Sequence, residues 1–399
     1  MTVHRSFSKL VQSGIYVDKT EEISSLISHR SVLLVRPRKF GKSVLVSSLY
    51  ELFSGNRDLF RNTYLAKSGY DFKKHPVIAL NLHFDVTTPG EFASCLRSQV
   101  KTLASLWGVE LKKEKPDEMF DEFLRSFKEE LVVLVDNYDF VLADNIRNPD
   151  IEKLDGILAR FIGVLNDESR FRFVFLTGIN NFLLCDEGYG QVLEYDDLTM
   201  DPSVSSICGF TEQEINSCFM EKIRNLASIS YIRAHGIDEL NCANYSNSRI
   251  TYVYSEYLRQ KQQSEEDLLK IIMTVLGGYR FSNKETNLAS TGFVMDFLRG
   301  NGVFDLNYDL RCARGYIVQK LKNPLFSLGD YIGVPLDPIL SCGPHYSYRP
   351  QLGALLLQNG LLTIDRVEDD DDEIECMLKI PNEEVQNFLE KRIDCRLGS

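Results

Sequence analysis

The residues Arg36-Pro37-Arg38-Lys39-Phe40-Gly41-Lys42-Ser43 follow directly on the apolar run Val32 to Val35. A turn of this composition has the chemistry of a polyphosphate site. Backbone N–H groups before a helix converge on an anion together with the positive end of the helix dipole. Gly41 permits close backbone approach, the Lys42 amine reaches β- and γ-phosphates, and the Ser43 hydroxyl is a ligand for Mg²⁺. Arg36 stands where the usual Gly-x₄-Gly-Lys-Ser/Thr pattern has its first glycine. Arg36 and Arg38 can add phosphate contacts, with Arg36 turned to solvent beside Pro37 as the other reading.

The unbroken run Leu131-Val132-Val133-Leu134-Val135 ends in Asp136. Such a run reads as a buried parallel strand, and groups at the C-terminal ends of those strands form the binding edge of open α/β sheets. Asp136 is therefore the second expected Mg²⁺ ligand, directly or through water. Asn137 follows, where many mechanical ATPases place a Glu that activates water. A carboxamide accepts no proton, and general-base assistance is typically worth about 10² to 10⁴ in rate. Slow turnover is expected unless Asp139 or another group substitutes; Asp139 reads equally as a structural cap. A third strand, Phe171 to Gly178, offers Thr177 and then Asn180 either as polar sensors of the γ-phosphate or as groups that satisfy the backbone at the turn.

These residues must be positioned by an α/β scaffold. Strand and helix signals alternate over residues 1–205: Pro76 to Leu82 reads as another strand, and Pro89-Gly90-Glu91 begins a helix running toward Trp107. Asn81 or His83 can sit near the sheet edge, though burial or a loop explains either. The expected fold is a P-loop NTPase parallel sheet, with right-handed crossover helices on its faces. Beyond Asp201-Pro202 the pattern turns helical. Thr211 and Glu214 have capping-box spacing, and helical signals continue through Glu265 to Ile272. A helical lid or partner-binding domain over 206–345 and a small winged-helix-like α+β unit over 346–399 complete the expected division, so that nucleotide state alters the angle between domains. The 235–251 stretch, with Gly236, Asn241, Asn244, Ser246 and Asn247, reads as a loop or insertion. The acidic run Asp369 to Glu373 reads as a solvated loop inside a hairpin.

Together these segments resemble the AAA-ATPase-like family whose members often carry a PD-(D/E)XK nuclease-like domain after the ATPase. The resemblance begins at Ile15-Tyr16-Val17-Asp18-Lys19-Thr20 and runs through the Arg36 to Ser43 loop, where the family also prefers Arg over the first Gly. Asp136-Asn137-Tyr138-Asp139 is similar to the family's Asp-Glu-Tyr-Asp, and Thr177-Gly178-Ile179, Gly209 to Glu214, Gly278-Tyr279-Arg280-Phe281, Leu355 to Ile364 and Ile380 to Val385 extend the likeness over nearly the whole chain. It implies ATP and Mg²⁺ as ligands, and a macromolecular partner with nucleic acid or defence against mobile DNA in view. Arg280 then reads either as a γ-phosphate sensor or as an arginine of the surface or domain interface. The acidic residue replaced by Asn137 puts turnover in question. After Val385 only Gln386 to Ser399 remain, so the nuclease domain is expected to be absent or truncated.

Composition narrows the class. The chain has 399 residues, 44% hydrophobic, enough for two or three packed units. A net charge of −12 argues against extended nonspecific nucleic-acid binding. Lys112-Lys113-Glu114-Lys115 is a mixed, solvated boundary. Nine Cys and six His show neither metal-ligand spacing nor a disulfide pattern. With no apolar leader and no 18-residue apolar span, an intracellular protein is expected, nucleus or cytoplasm, partnered by protein, by copies of itself or by nucleic acid, and not by membrane. Two functions stand: a slow or regulated ATPase that acts on a macromolecular partner, and a nucleotide-binding scaffold without appreciable hydrolysis or a regulatory partner of a nuclease.

Overall fold

The computed structural model describes residues 6–182, 185–186, 190–191, 193–234, 265–300, 314–336, 352–370 and 373–394. The 235–251 loop expectation lies outside the described residues. A five-stranded parallel sheet organises the first half: β1 (Ser31–Val35), β2 (Val77–Asn81), β3 (Leu131–Asp136), β4 (Phe171–Gly178) and the short β5 (Asp196–Asp197), in the order β2-β3-β4-β1-β5. The β-branched and leucine run of β3 is buried along its whole length, as a strand covered on both faces requires.

Register decides what meets at the binding edge. Asn81 pairs with Asp136, Asp136 with Thr177, and Val35 with Gly178. Four strand ends therefore line up on the same rim. Helices α1 (Ser6–Gln12), α2 (Thr20–Leu26), α3 (Lys42–Phe53), α4 (Pro89–Trp107), α5 (Pro116–Arg125), α6 (Phe140–Asp144) and α7 (Ile151–Gly163) complete this part. α4 opens on a capping box between Thr88 and Glu91, a local stop signal that fixes where the helix begins.

The C-terminal half is mostly helical with small antiparallel sheets. The capping box expected at Thr211 and Glu214 is present: Glu214 N–H donates to Thr211 Oγ1 at 3.1 Å, and Thr211 N–H donates to Glu214 Oε2 at 2.8 Å. It starts α8 (Glu212–Ala234), which packs with α9 (Glu265–Leu276) and α10 (Thr291–Arg299) around Ile215, Phe219, Ile272, Val294 and Phe297. Phe210–Thr211 (β6) pairs with Leu288–Ala289 (β7) beneath them. Farther on, β8 (Pro335–Leu336), β9 (Thr363–Asp370) and β10 (Glu373–Lys379) form a three-stranded sheet, with α11 (Arg314–Leu321), α12 (Leu352–Gln358) and α13 (Glu383–Asp394) beside it. The β9–β10 hairpin keeps Asp369, Asp370 and Glu373 in strand pairing, so its loop is shorter than the expected acidic run. Ile317, Leu321, Leu355, Leu378 and Leu389 join the apolar cluster that contains the main sheet. Among the described residues no helix is long and apolar enough to cross a membrane.

Candidate functional site

A cavity of about 450 Å³ opens at the sheet rim. The loop and first turn from Arg38 to Leu45 form its floor. The strap Ile15-Tyr16-Val17 and Ile23 line it with Ile207 and Phe210; His83, Asn137, Phe140 and Ile179 line it from beyond the ends of β2, β3 and β4; and Thr291, Gly292, Met295 and Arg299 come from α10. The strap is pinned by Asp18, whose carboxylate accepts from Thr20 N–H at 2.9 Å and Tyr64 N–H at 2.8 Å, and by the Lys19–Glu214 ion pair at 2.5 Å.

The α3 helix begins at Lys42, with Gly41 at φ +95° as its cap. That left-handed conformation is open to glycine at little cost, and a side chain there would also press on Thr291 Oγ1. The first-turn N–H groups of α3 thus face the cavity with the positive helix end. The Lys42 amine is buried and donates to the carbonyls of Arg36 at 2.7 Å and Pro37 at 2.9 Å. It closes its own loop in this conformation.

Ser43 Oγ donates to Asp136 Oδ2 at 2.9 Å. Asp136 Oδ1 is buried and has no hydrogen-bond partner, an arrangement costly unless a ligand completes it. Burial raises the Asp136 carboxyl above its ordinary range, while the Lys42 ammonium and the Ser43 hydroxyl pull it back down. A hydroxyl oxygen beside an unfinished carboxylate suits a hard cation such as Mg²⁺, which takes oxygen donors and keeps waters and substrate phosphates rather than an all-protein cage. Among the described residues no cluster of three or more His, Cys, Asp or Glu is placed to hold a metal.

Several expected contacts go elsewhere. Arg36 is neither a phosphate contact nor solvent-facing: it is 1% exposed. Its guanidinium donates to the carbonyls of Val35, Thr199 and Val204 and lies 4.5 Å from the Phe281 ring centroid. Burial lowers its pKa to about 10. Pro37 contributes only its carbonyl to Lys42, and its side chain is not part of the cavity wall. Lys39, at φ +61°, reaches the cavity wall but spends its ammonium on Asp296 at 2.8 Å and on the Phe293 ring, both on α10. Its carbonyl accepts from Gly292 N–H at 2.7 Å and from the hydroxyls of Ser290 and Thr291. Phe40 packs edge-on against Tyr279 and Phe281. Arg38 remains a cavity-lining cation.

Asp139 and Thr177 serve backbone groups in this structure. Asp139 Oδ2 accepts from Ile179 N–H at 3.1 Å and Asn180 N–H at 2.7 Å, and a Cβ at Gly178 would collide with its carboxylate. Burial pushes this carboxyl up to about 6 against the opposing pull of those N–H groups. Thr177 Oγ1 donates to Leu34 O at 2.7 Å, across to β1. Asn180 is buried, and its amide reaches Gln358. Asn137 does face the cavity, at φ +58°, and its amide donates to Asn81 Oδ1 at 3.0 Å.

Arg280 turns away as well. Its guanidinium donates to the carbonyls of Ser282, Asn283 and Asp365. Extended backbone alternates its side chains: Tyr279 and Phe281 pack on Phe40, so Arg280 projects to the other side. The arginine that reaches the cavity from the helical part is Arg299. Thr291, Met295 and Arg299 are spaced by four on α10, one helical face, and that spacing was the sequence signal for it.

Comparison with known proteins agrees with this architecture. Residues 3–186 match the family model described as Predicted AAA-ATPase, AAA-ATPase_like. The chain is similar to an uncharacterized protein in the vnfD 5′ region of Azotobacter chroococcum mcd 1, 30% identical over 236 residues. That alignment takes in 56% of this chain and 45% of the relative's length. Among solved structures, the ORC1 protein of Aeropyrum pernix in complex with DNA aligns at 12% identity and TM-score 0.27, over 96% of this chain and 95% of that one. The A. pernix ORC2 protein aligns at 10% and 0.29, over 99% and 96%. Scores this low carry no argument about function. What the family match and the sheet together establish is that residues 3–186 of this chain carry an AAA-ATPase-like domain.

Proposed function

We propose that this chain binds ATP with Mg²⁺, turns it over slowly, and passes its nucleotide state to a macromolecular partner. The observation that carries the reading is the Ser43–Asp136 contact with its unfinished carboxylate oxygen, beside Lys42 and the α3 N-terminus. In this proposal Ser43 and Asp136 hold the metal, and Lys42 leaves the carbonyls of Arg36 and Pro37 for the β- and γ-phosphates. Arg38 and Arg299 add charge from two walls. The metal when bound would neutralise phosphate charge and orient the γ-phosphate. The apolar lining of Ile15, Val17, Ile207 and Phe210 takes the base.

Coupling follows from who lines the cavity. Its walls come from the sheet unit, proposed as 1–205, and from α10 of a lid proposed as 206–345, so a nucleotide touches both. Differential contacts of this kind are what allow a ligand to shift a domain angle. The 346–399 unit, with exposed Leu325, Ile332 and Val334 on the segment that leads toward it, offers apolar surface for a protein partner or a second copy; nucleic acid is a further partner class, and the cell interior its proposed place. The test is equilibrium binding of a fluorescent ATP analogue with Mg²⁺ and with a chelator. Saturable binding that weakens on metal removal and in Lys42→Ala supports the reading; no association at about millimolar nucleotide, an energy of only about 4 kcal/mol, rejects it.

A second reading, a nucleotide-binding scaffold without turnover, is favoured by one feature: no carboxylate side chain lines the cavity among the described residues, since Asn137 stands where an acidic group would activate water. Multiple-turnover hydrolysis measured against Lys42→Ala separates the two.

A further inference from the structure

We propose that His83 is the proton acceptor for the water that attacks the γ-phosphate, an inference that rests on the ATP reading above. The argument begins with who is left. The cavity wall carries Lys19, Arg38, Lys39, Lys42 and Arg299, whose ammonium and guanidinium groups are donors with no acceptor atom, and Tyr16, whose phenol burial drives further up. Asp139 is committed to two backbone N–H groups and Thr177 to Leu34 O. Asp136 accepts from Ser43 on one oxygen, and in the reading above its other oxygen is given to the metal. Among the described residues on the wall, His83 is the remaining side chain with a ring nitrogen lone pair that can take up a proton.

Its placement is built. His83 lies two residues beyond Asn81, the β2 residue in register with Asp136. Asn81 Oδ1 accepts from His83 N–H at 3.1 Å and from the Asn137 amide at 3.0 Å, so one carboxamide fixes the histidine backbone and the residue after Asp136 together. The imidazole stacks on Phe140 with centroids 3.7 Å apart and planes 26° from parallel. Stacking orients the ring and leaves its nitrogen edges open; among the described residues neither nitrogen has a protein hydrogen-bond partner. Around it stand Asp136 on β3, Asp144 on α6 and Asp85 on its own loop, with Lys42 beyond Asp136. In this role the water oxygen bonds to the γ-phosphorus as the bridging oxygen leaves with ADP, and the water's proton goes to an unprotonated His83 nitrogen. The imidazolium then returns the proton to solvent, leaving inorganic phosphate.

The experiment uses the full chain in single-turnover hydrolysis of Mg·ATP over about pH 5.5 to 9, with binding of a non-hydrolysable analogue measured on the same samples. His83→Ala and His83→Gln should each slow hydrolysis by about 10² to 10⁴ and remove the fall in rate at acid pH, with analogue affinity unchanged within about twofold. Added imidazole should partly restore His83→Ala. A readout apart from turnover is the NMR signal of the His83 ring, which should shift on adding ADP with aluminium fluoride and much less with ADP alone. Unchanged rate and pH profile in both variants overturn the proposal. Analogue binding with no hydrolysis in the parent chain overturns it while leaving the nucleotide site standing; loss of nucleotide binding in the parent chain overturns both.

Discussion

The two halves of the loop after β1 do opposite things with similar residues. Gly41, Lys42 and Ser43 face the cavity, whereas Arg36 is buried behind it among three carbonyls and an aromatic ring. Both halves are cationic, yet Arg36 is kept from the cavity that Gly41, Lys42 and Ser43 line. Arg36 fixes the loop from behind: it ties the end of β1 to the Thr199–Val204 segment and, through Phe281, to the segment before β7. A glycine there would leave those carbonyls without their donor. The missing first glycine is thus a different construction of the loop, in which a buried guanidinium replaces backbone freedom with fixed hydrogen bonds. The same division recurs after β3, where Asn137 faces the cavity and Asp139 holds the next turn.

This contrast breaks first on stability. Arg36→Met removes three hydrogen bonds and a cation–π contact, and should cost about 3 to 4 kcal/mol in a denaturant titration, while nucleotide affinity in the folded fraction changes little. If affinity collapses and stability holds, the two halves have been assigned the wrong way round. Next in size, Lys42→Ala should weaken nucleotide triphosphate binding about 10- to 100-fold, the value of one charge-assisted bond, and, because it removes the donor to the Arg36 and Pro37 carbonyls, cost about 1 to 3 kcal/mol of stability, less than Arg36→Met. Equal loss of stability would make Lys42 a loop strut like Arg36.

A smaller effect separates the two arginines of the helical part. Arg299→Ala should lower triphosphate affinity about 3- to 10-fold against diphosphate, and Arg280→Ala should leave that ratio within about twofold. An isothermal titration of both nucleotides against both variants decides it. The last effect belongs to Asp139, whose carboxyl stands at about 6 in the fold against an ordinary 3.8. Between those values the unfolded chain has lost the proton that the folded chain keeps, so the folded state binds more protons and stability falls as pH rises. Asp139→Asn keeps an acceptor for Ile179 and Asn180 and removes the titration. Its stability relative to the parent chain should therefore improve by about 2 kcal/mol from about pH 4 to about pH 7. A constant difference across that range would refute the raised carboxyl.

Much of the fold was legible because its signals are local. The apolar runs of β1, β3 and β4, the helix start at Pro89, the capping box at Thr211, and the Gly41-Lys42-Ser43 turn each depend on residues a few positions apart, and each formed where the pattern placed it. Asp136 at the end of β3 was readable for the same reason. Arg280 was read two ways, as a γ-phosphate sensor or as an arginine of the surface or domain interface, and its flanking aromatics held the clue: a two-residue alternation that buries Tyr279 and Phe281 on Phe40 sends the residue between them away. Arg299 went unnoticed because a lone arginine in a helix means nothing until one knows which face of that helix closes a cavity. The strand order, which puts β4 between β1 and β3, has no local signature at all.

The sequence by itself therefore determined the elements and the chemistry available at their ends: a phosphate-type turn, a carboxylate after a buried strand, and a carboxamide where a base would stand. Tertiary structure alone decided which charged side chains spend themselves on the protein and which are left for a ligand. The reason is physical: a cation's partner is set by whatever carbonyls and carboxylates packing brings within about 3 Å, and those come from residues more than a hundred positions away, as Thr199 does for Arg36 and Asp296 for Lys39.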